Sequence, residues 1–322
     1  MYIGVDLGGT KMAAGLVTQD GVILGKASAP TQVGLPHEQI LKNMASLIGD
    51  VLSETGHTVD DIGAIGIGSP GAVDDSRGTV VFANNLYWRH VSVRGELQKY
   101  YDKPVFADND ANVAALAEMI AGAARGRRNL VLLTLGTGVG SGIVIDGRIF
   151  AGSHHVGAEL GHLCVQMDGE QCTCGNKGCL ERYTSATALV REGRRALIDY
   201  PDSIIATKAG GNIDNVTAKI VIDAARERDP MAIDIFDRYI HYLALGIITI
   251  INAFDPEVIV LGGGVSAAGD FLLEPLRRHV EEHIFYKDLP HATVELSPLG
   301  NDAGIIGAAM LGAIESGGIK GI

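Results

Sequence analysis

The chain has 322 residues, about half of them hydrophobic and a fifth charged, enough for two domains that each bury a core. A net charge of -12 and a pI near 5.2 repel phosphate backbones and anionic lipid, which argues against nucleic acid or a membrane surface as partners. Asp6 and Lys11 break the first apolar run before it reaches the length of a secretory signal, so a cytoplasmic protein is expected.

The segment "YIGVDLGGTK" passes into "MAAGLVTQDGVILGKASA", which reads as strand, tight turn, strand, Asp-Gly turn, strand. From His37 to Glu54, Ile40, Leu41, Met44, Leu47, Ile48, Val51 and Leu52 follow helical spacing, with Gly56 just past the end. "IGAIGIGSPG" and "PVFADND" read as further strands, and Ala111 to Ala124 as a helix that is alanine-rich on all sides. The pattern then restarts, because "NLVLLTLGTGVGSGIVIDGRIF" repeats the opening hairpin and its Asp-Gly turn. Tyr242 to Phe254 is apolar but shorter than the ~20 residues of a membrane span, and reads as a buried helix. "EVIVLGGGVS" completes the second set. Two α/β units with one opening hairpin predict two similar lobes around a cleft, where small ligands usually bind.

Three strands end in glycine-rich turns: Asp6 to Lys11, Thr134 to Gly142 and Val260 to Ser266. Glycine lets a backbone approach an anion closely, and Thr10, Thr137 and Lys11 add two hydroxyls and a cation. None of the three is a Walker A motif or a G-x-G-x-x-G opening a helix. Any one alone reads equally well as a plain turn; their recurrence points to a nucleotide.

All four cysteines lie between Cys164 and Cys179. His162, Cys172, Cys174 and Cys179 offer one imidazole and three thiolates, a set suited to a tetrahedral zinc whose shell four protein ligands would close. Gly175 and Gly178 allow tight turns, and so polar a loop cannot fold on burial alone. Cys164 stands two residues after His162, on the same face of a strand, so an all-cysteine set stays open by chemistry. Reduced thiols without metal are the plainer reading. Glu159 and Glu181 flank the loop; carboxylates accept hydrogen bonds from a ligand's hydroxyl groups, although most glutamates are solvated surface charges. In "FADNDAN", Asn109 or Asp110 suits a helix cap, and Asp108 shares a strand face with Asp110 as its rival carboxylate.

Together "DLGGTK", "DNDAN", "LGTGVGSG" and "GAELGH…CTCGNKGCLE" resemble the ROK family (repressor, open reading frame, kinase) of the actin–hexokinase–Hsp70 ATPase superfamily, from residue 3 to about residue 310. The resemblance implies an α/β fold of two ribonuclease-H-like lobes with an interlobe cleft. The N-terminal lobe would span residues 1–115, with a C-terminal helix over 303–316 packing back on it. Residues 116–302 would form the other lobe and carry the zinc loop 162–179. It implies ATP with Mg2+, a structural Zn2+ on His162, Cys172, Cys174 and Cys179 with Cys164 a bystander, and phosphorylation of a hexose on its 6-hydroxyl. Asp110 would be the catalytic carboxylate; Asn109, Glu159, His162 and Glu181 would contact sugar, with Gly71 and Asn85 (or its neighbour Asn84) as further candidates. Asp6 would sit near Mg2+ through water. Gly8, Gly9, Thr10 and Lys11, with Gly136, Thr137 and Gly138, would hold phosphates, and Gly262, Gly263 and Gly264 would lie by the adenosine.

The expected reaction is glucose to glucose 6-phosphate. Kinases of N-acetylglucosamine, N-acetylmannosamine or fructose stay open, as does polyphosphate as donor, because pocket shape decides between them. A different class, the sugar-responsive repressor or non-catalytic sensor, shares the fold. "DLGGTK" starting at residue 6 leaves no room ahead of it for a helix-turn-helix, and Asp110 argues against a dead sensor. By resemblance the assembly is a homodimer or homotetramer.

Overall fold

The computed structural model of the chain describes residues 1–319. The chain divides into two compact units. One comprises Met1–Leu132, Gly142–Ala158 and the described residues from Pro298 on; the other comprises Leu133–Ser141 and Glu159–Ser297. The first unit thus runs beyond residue 115, where the sequence reading placed the boundary. That boundary would cut through a continuous helix, Asp110–Ala121, whose buried side chains include Val113, Leu116 and Met119.

The first unit opens with an antiparallel meander of β1 (Tyr2–Leu7), β2 (Lys11–Val17) and β3 (Ile23–Pro30). Helix α1 (His37–Glu54) buries the seven apolar residues whose spacing announced it. Strand β4 (Ile65–Ser69) lies parallel to β1. An unexpected three-stranded antiparallel sheet follows: β5 (Ala72–Asp74), β6 (Thr79–Ala83) and β7 (Trp88–Ser92). After the short α2 (Val93–Leu97), β8 (Val105–Asn109) pairs parallel with β4 and leads directly into α3 (Asp110–Ala121).

The restart at Asn129 gives β9 (Leu130–Leu135), β10 (Val139–Ile145) and β11 (Arg148–Ile149). Then come α4 (Glu181–Thr184), α5 (Ala186–Asp199), α6 (Ile204–Lys208), α7 (Ala218–Arg226) and α8 (Pro230–Phe254). Strand β12 (Val258–Gly262), α9 (Asp270–His283), β13 (Thr293–Leu296) and α10 (Ala303–Glu315) follow among the described residues. The two larger sheets run β3-β2-β1-β4-β8 and β11-β10-β9-β12-β13, the same order counted along each repeat. The internal repeat seen in the sequence is therefore a repeat of topology. The apolar run Tyr242–Phe254 is the second half of α8, whose first half carries Asp234, Asp237 and Arg238. Among the described residues no helix is long and apolar enough to cross a membrane.

Helix α10 belongs to the first unit and packs on β1, β4 and α3. Glycines make this approach as close as backbone allows. A Cβ on Gly307 would lie 1.7 Å from the Val113 carbonyl oxygen, and one on Gly4 would lie 1.9 Å from that of Ile305. Gly307→Ala is expected to cost about 1–3 kcal/mol or more by forcing α3 and α10 apart; an unchanged urea midpoint would contradict it.

Candidate functional site

In the first unit, the β1–β2 turn is closed by the Gly8 N–H donating to the Lys11 carbonyl at 3.0 Å. A residue that escaped the sequence reading braces it. Thr31, fully buried, donates its hydroxyl to the Gly8 carbonyl at 2.6 Å and its N–H to that of Thr10 at 3.0 Å. Nothing in a single sequence marks a threonine after a strand for that duty. Thr10 and Lys11 are exposed at the turn. A Cβ on Gly9 would stand 3.1 Å from the Asn85 carbonyl, so the structure brings Asn85 beside this turn.

The β8–α3 junction is tied by Asn109, the N-cap of α3. Its Oδ1 accepts from the N–H groups of Ala111 (2.9 Å) and Asn112 (3.3 Å), and its Nδ2 donates to the Gly71 carbonyl at 3.0 Å. Gly71 has φ +90°, and a Cβ there would meet the Phe82 carbonyl at 2.1 Å, so only glycine fits. The Asn109 side chain also hydrogen-bonds the Asp110 carboxylate, so it ties Gly71 to the first residue of α3. Asp110, the first residue of α3, is partly buried. Asp108 is 4% exposed, and its Oδ1 accepts from the Asn109 N–H (2.6 Å) and from Asn112 Nδ2 (2.8 Å). It lines a separate cavity with Arg94, Phe106 and Leu311 that includes neither Asn109 nor Asp110. This carboxylate holds the junction from behind.

Burial governs the electrostatics of these acids. It pushes Asp6 up to about 6, with the neighbouring Asp110 charge adding to the rise and Lys11 opposing it. Burial likewise raises Asp108 to about 6, against its bonds from Asn112 and Asn109. Asp110 is raised by burial too, with the Ala111 N–H opposing. Two raised carboxylates beside one lysine and a glycine turn form a place where a cation restores charge to both acids.

In the second unit, the β9–β10 turn is held by the Gly136 N–H donating to the Gly138 carbonyl at 3.0 Å. The start of α5 braces it, with the Ala186 N–H on the Gly136 carbonyl (2.7 Å) and the Thr187 hydroxyl on that of Thr137 (2.6 Å). Glu181 is more than a surface charge. Its Oε2 accepts from the Val139 N–H at 3.0 Å, and its Oε1 lies 3.9 Å from Cys172 Sγ, so it links this turn to the cysteine loop. The segment Glu159–His162 lies along β10, with the Leu160 N–H donating to Ser141 Oγ at 2.9 Å. Glu159 itself is exposed.

The loop wraps as its glycines require. Gly175 has φ +94° and Gly178 φ +75°, and a Cβ on Gly178 would strike the Gln166 carbonyl at 1.7 Å. His162, Cys172, Cys174 and Cys179 converge, with all four ligand atoms within 4.8 Å of one another. Cys172 Sγ is 3.6 Å from His162 Nδ1, and Cys174 Sγ is 3.6 Å from Cys179 Sγ. Zn–S bonds of ~2.3 Å in a tetrahedron set sulfurs ~3.8 Å apart, so the donor set fits zinc. Burial and the neighbouring sulfurs push Cys179 up to about 12, a thiol that would ionise only with a cation to bind. Cys164 stands outside the set, its Sγ 3.8 Å from the Lys177 carbonyl. Spacing alone left Cys164 open as a donor; the side chains that converge here are the histidine and the other three cysteines.

At the end of β12, Gly263 has φ +83°, and a Cβ there would lie 2.6 Å from the Leu135 carbonyl. Gly264 opens a single helical turn and lines a cavity of about 430 Å³ with Ala186, Thr217, Lys219, Asp223 and Arg226. Of these only Gly264 was a candidate from the sequence. The others come from α5 and α7, whose approach to the β12 turn is a tertiary fact.

Two α/β units with ribonuclease-H strand order, each opening on a glycine turn, define a phosphotransferase-type ATPase fold of the actin–hexokinase–Hsp70 class. The ROK family model matches residues 2–314. The glucokinase of Thermotoga maritima is 41% identical over 310 residues, 96% of each chain. A ROK family glucokinase from Streptomyces griseus, solved in complex with glucose and AMPPNP, is 37% identical with a TM-score of 0.82, covering 97% of this chain and 99% of that one. A ROK family transcriptional regulator, a homologue of the E. coli MLC protein, gives a TM-score of 0.84 at 27% identity, covering 96% of this chain and 77% of that one. The chain belongs to the ROK family.

Proposed function

We propose that this protein is an ATP-dependent glucokinase, transferring the γ-phosphoryl group of ATP to the 6-hydroxyl of glucose. The observation that carries the reading is the β8–α3 junction, where Asn109 is locked as a cap and Asp110 follows as a partly buried, proton-seeking carboxylate near Asp6. Glucokinase relatives at 37–41% identity support the substrate. Asp110 accepts the proton of the 6-hydroxyl as its oxygen bonds to phosphorus and the bond to the β-phosphate oxygen breaks, releasing ADP. Asn109 contacts a sugar hydroxyl, with Gly71 and Asn85 alongside. Gly8, Gly9, Thr10 and Lys11, with Gly136, Thr137 and Gly138, serve the phosphates. Asp6 would help to hold a Mg2+ supplied with the nucleotide, which would neutralise phosphate charge.

Glu159, His162 and Glu181 take sugar hydroxyls, and Zn2+ on His162, Cys172, Cys174 and Cys179 is structural. With Nδ1 of His162 turned toward Cys172, its Nε2 stays available for the sugar. Gly262, Gly263 and Gly264, with the cavity that Gly264 shares with Thr217 and Arg226, receive the adenosine. Family resemblance supports a cytoplasmic homodimer or homotetramer. The test is a coupled ADP-release assay over hexoses and N-acetylhexosamines, with ATP and polyphosphate as donors. Glucose with ATP is expected to give the highest kcat/KM; preference for an N-acetylhexosamine, or no turnover of any sugar, would reject the assignment.

Because Glu181 also supports the β9–β10 turn, Glu181→Ala is expected to raise KM for both sugar and ATP, by about tenfold or more for a hydrogen bond to a charged group. Glu181→Gln keeps an acceptor for the Val139 N–H and should raise the sugar KM chiefly. An Ala variant with unaltered ATP KM would show that the link to the turn is idle.

A further inference from the structure

Two carbonyls of the β1–β2 turn are held by a single residue from outside it. Lys11 pairs with Pro30 at the end of β3, so Thr31 comes to stand opposite Thr10. Its N–H donates to the Thr10 carbonyl at 3.0 Å, which continues the β2–β3 ladder by one residue. Its hydroxyl donates to the Gly8 carbonyl at 2.6 Å, a bond no ladder requires. Thr31 is 0% exposed, so water does not compete for either bond. Valine has the same branched shape and would fill this space without the second bond.

We propose that Thr31 is a positioning residue for phosphate binding, which aims the Gly9 and Lys11 N–H groups by holding the carbonyls that precede them. The inference rests on the kinase reading, in which this turn meets the phosphates of the nucleotide. In a planar trans peptide the C=O and the N–H point in opposite directions. The Gly8 carbonyl shares one such plane with the Gly9 N–H, and the Thr10 carbonyl shares another with the Lys11 N–H. With both carbonyls tied to Thr31, both N–H groups face away from it. Backbone N–H groups gathered on one side of a turn make a concavity for an anion. The bond to Gly8 matters most, because Gly8 and Gly9 form the stretch whose backbone is freest to rotate. Donors already held in place spare the cost of ordering them when the anion arrives.

The test is calorimetric titration of the full chain, without sugar, with AMPPNP and MgCl2 and separately with adenosine, which has no phosphate. Thr31→Val removes the hydroxyl and keeps the backbone N–H. It is expected to weaken AMPPNP by about tenfold, near the upper net worth of one hydrogen bond, and to leave adenosine unchanged. Thr31→Ser keeps the hydroxyl and should bind AMPPNP as wild type does, although loss of the buried methyl lowers its Tm. A residue serving folding alone would lower Tm in both variants and separate neither ligand. Equal AMPPNP affinity in wild type and Thr31→Val, or an equal loss for adenosine, overturns the proposal. Should the valine variant not fold, the serine variant decides, since weakened AMPPNP there shows that the hydroxyl is not what counts. Wild-type protein that binds no AMPPNP overturns this inference and the kinase reading together. Binding of AMPPNP without turnover of any sugar rejects the kinase assignment alone, because the titration needs no acceptor.

Discussion

Asp110→Asn is expected to lower kcat by about 10²–10⁴-fold, the contribution of a positioned base, while leaving sugar and nucleotide binding near wild type. Asparagine is isosteric and keeps an oxygen for the Ala111 N–H that Asp110 Oδ1 accepts at 2.8 Å, so the start of α3 survives. What it loses is the capacity to take a proton. Residual kcat within tenfold of wild type would remove Asp110 from the chemistry.

The same substitution is expected to raise the Tm of the ligand-free protein at pH 7.5. Burial raises the folded-state pKa of Asp110, as it does those of Asp6 and Asp108, to about 6 for the latter two. A raised carboxyl binds its proton more tightly folded than unfolded. Its contribution to stability is therefore full below the unfolded pKa and lost as pH rises through the folded one. At neutral pH the three charges destabilise the first unit, and for Asp108, 4% exposed, the rise of about two pH units corresponds to about 3 kcal/mol. Activity runs the opposite way, because Asp110 must be ionised to accept a proton. The acid limb of kcat should lie above the ordinary carboxylate range, and a profile flat down to pH 4.5 would contradict the burial argument. If Asp110 is the base, its charge is a stability cost, as expected where function requires a group that the fold would rather neutralise.

Periodicity and turn chemistry made most of the scaffold readable. Seven apolar residues at helical spacing gave α1 its ends at His37 and Glu54, and the repeated hairpin announced two sheets of one order. Local signals failed where long-range pairing decides. Strands β5 and β7 are three and five residues long, too short for alternation to show, and pairing on either side of β6 is what creates them. The first half of α8 was passed over because its polar face hides a run that begins at a Pro capped by Asp229. At the site, residue type and spacing drew attention to the histidine–cysteine set and to Glu181. That Cys164 stands apart, and that Glu181 reaches back to Val139, depend on where the loop lands. Thr31 and Arg226 carried no signal at all, since their partners at Gly8 and Ala268 are distant in sequence.

Replacing Cys174 with serine separates ligation from packing more cleanly than changing any other cysteine of the set. Cys172 and Cys179 are 3% and 1% exposed, so a polar oxygen at either would disturb the interior whether or not metal is bound. Cys174 is exposed, and by packing alone its change to serine should cost almost nothing. If its sulfur is one of four zinc ligands, the variant loses metal affinity by about 100-fold or more, and elemental analysis after desalting falls from one zinc per chain toward none. The loop then loses what orders it, since Gln171 Nε2 and a few backbone bonds across Cys172–Gly178 are weak restraints on a segment with so little apolar surface. His162 and Glu181 loosen with it, and the sugar KM should rise by about tenfold while the ATP KM moves less. Cys164→Ser is the control, because its sulfur lies outside the convergent set and should leave zinc and KM unchanged. Zinc retained in the Cys174 variant, or lost equally in the Cys164 variant, would mean that the tetrahedral spacing of these four side chains holds no ion.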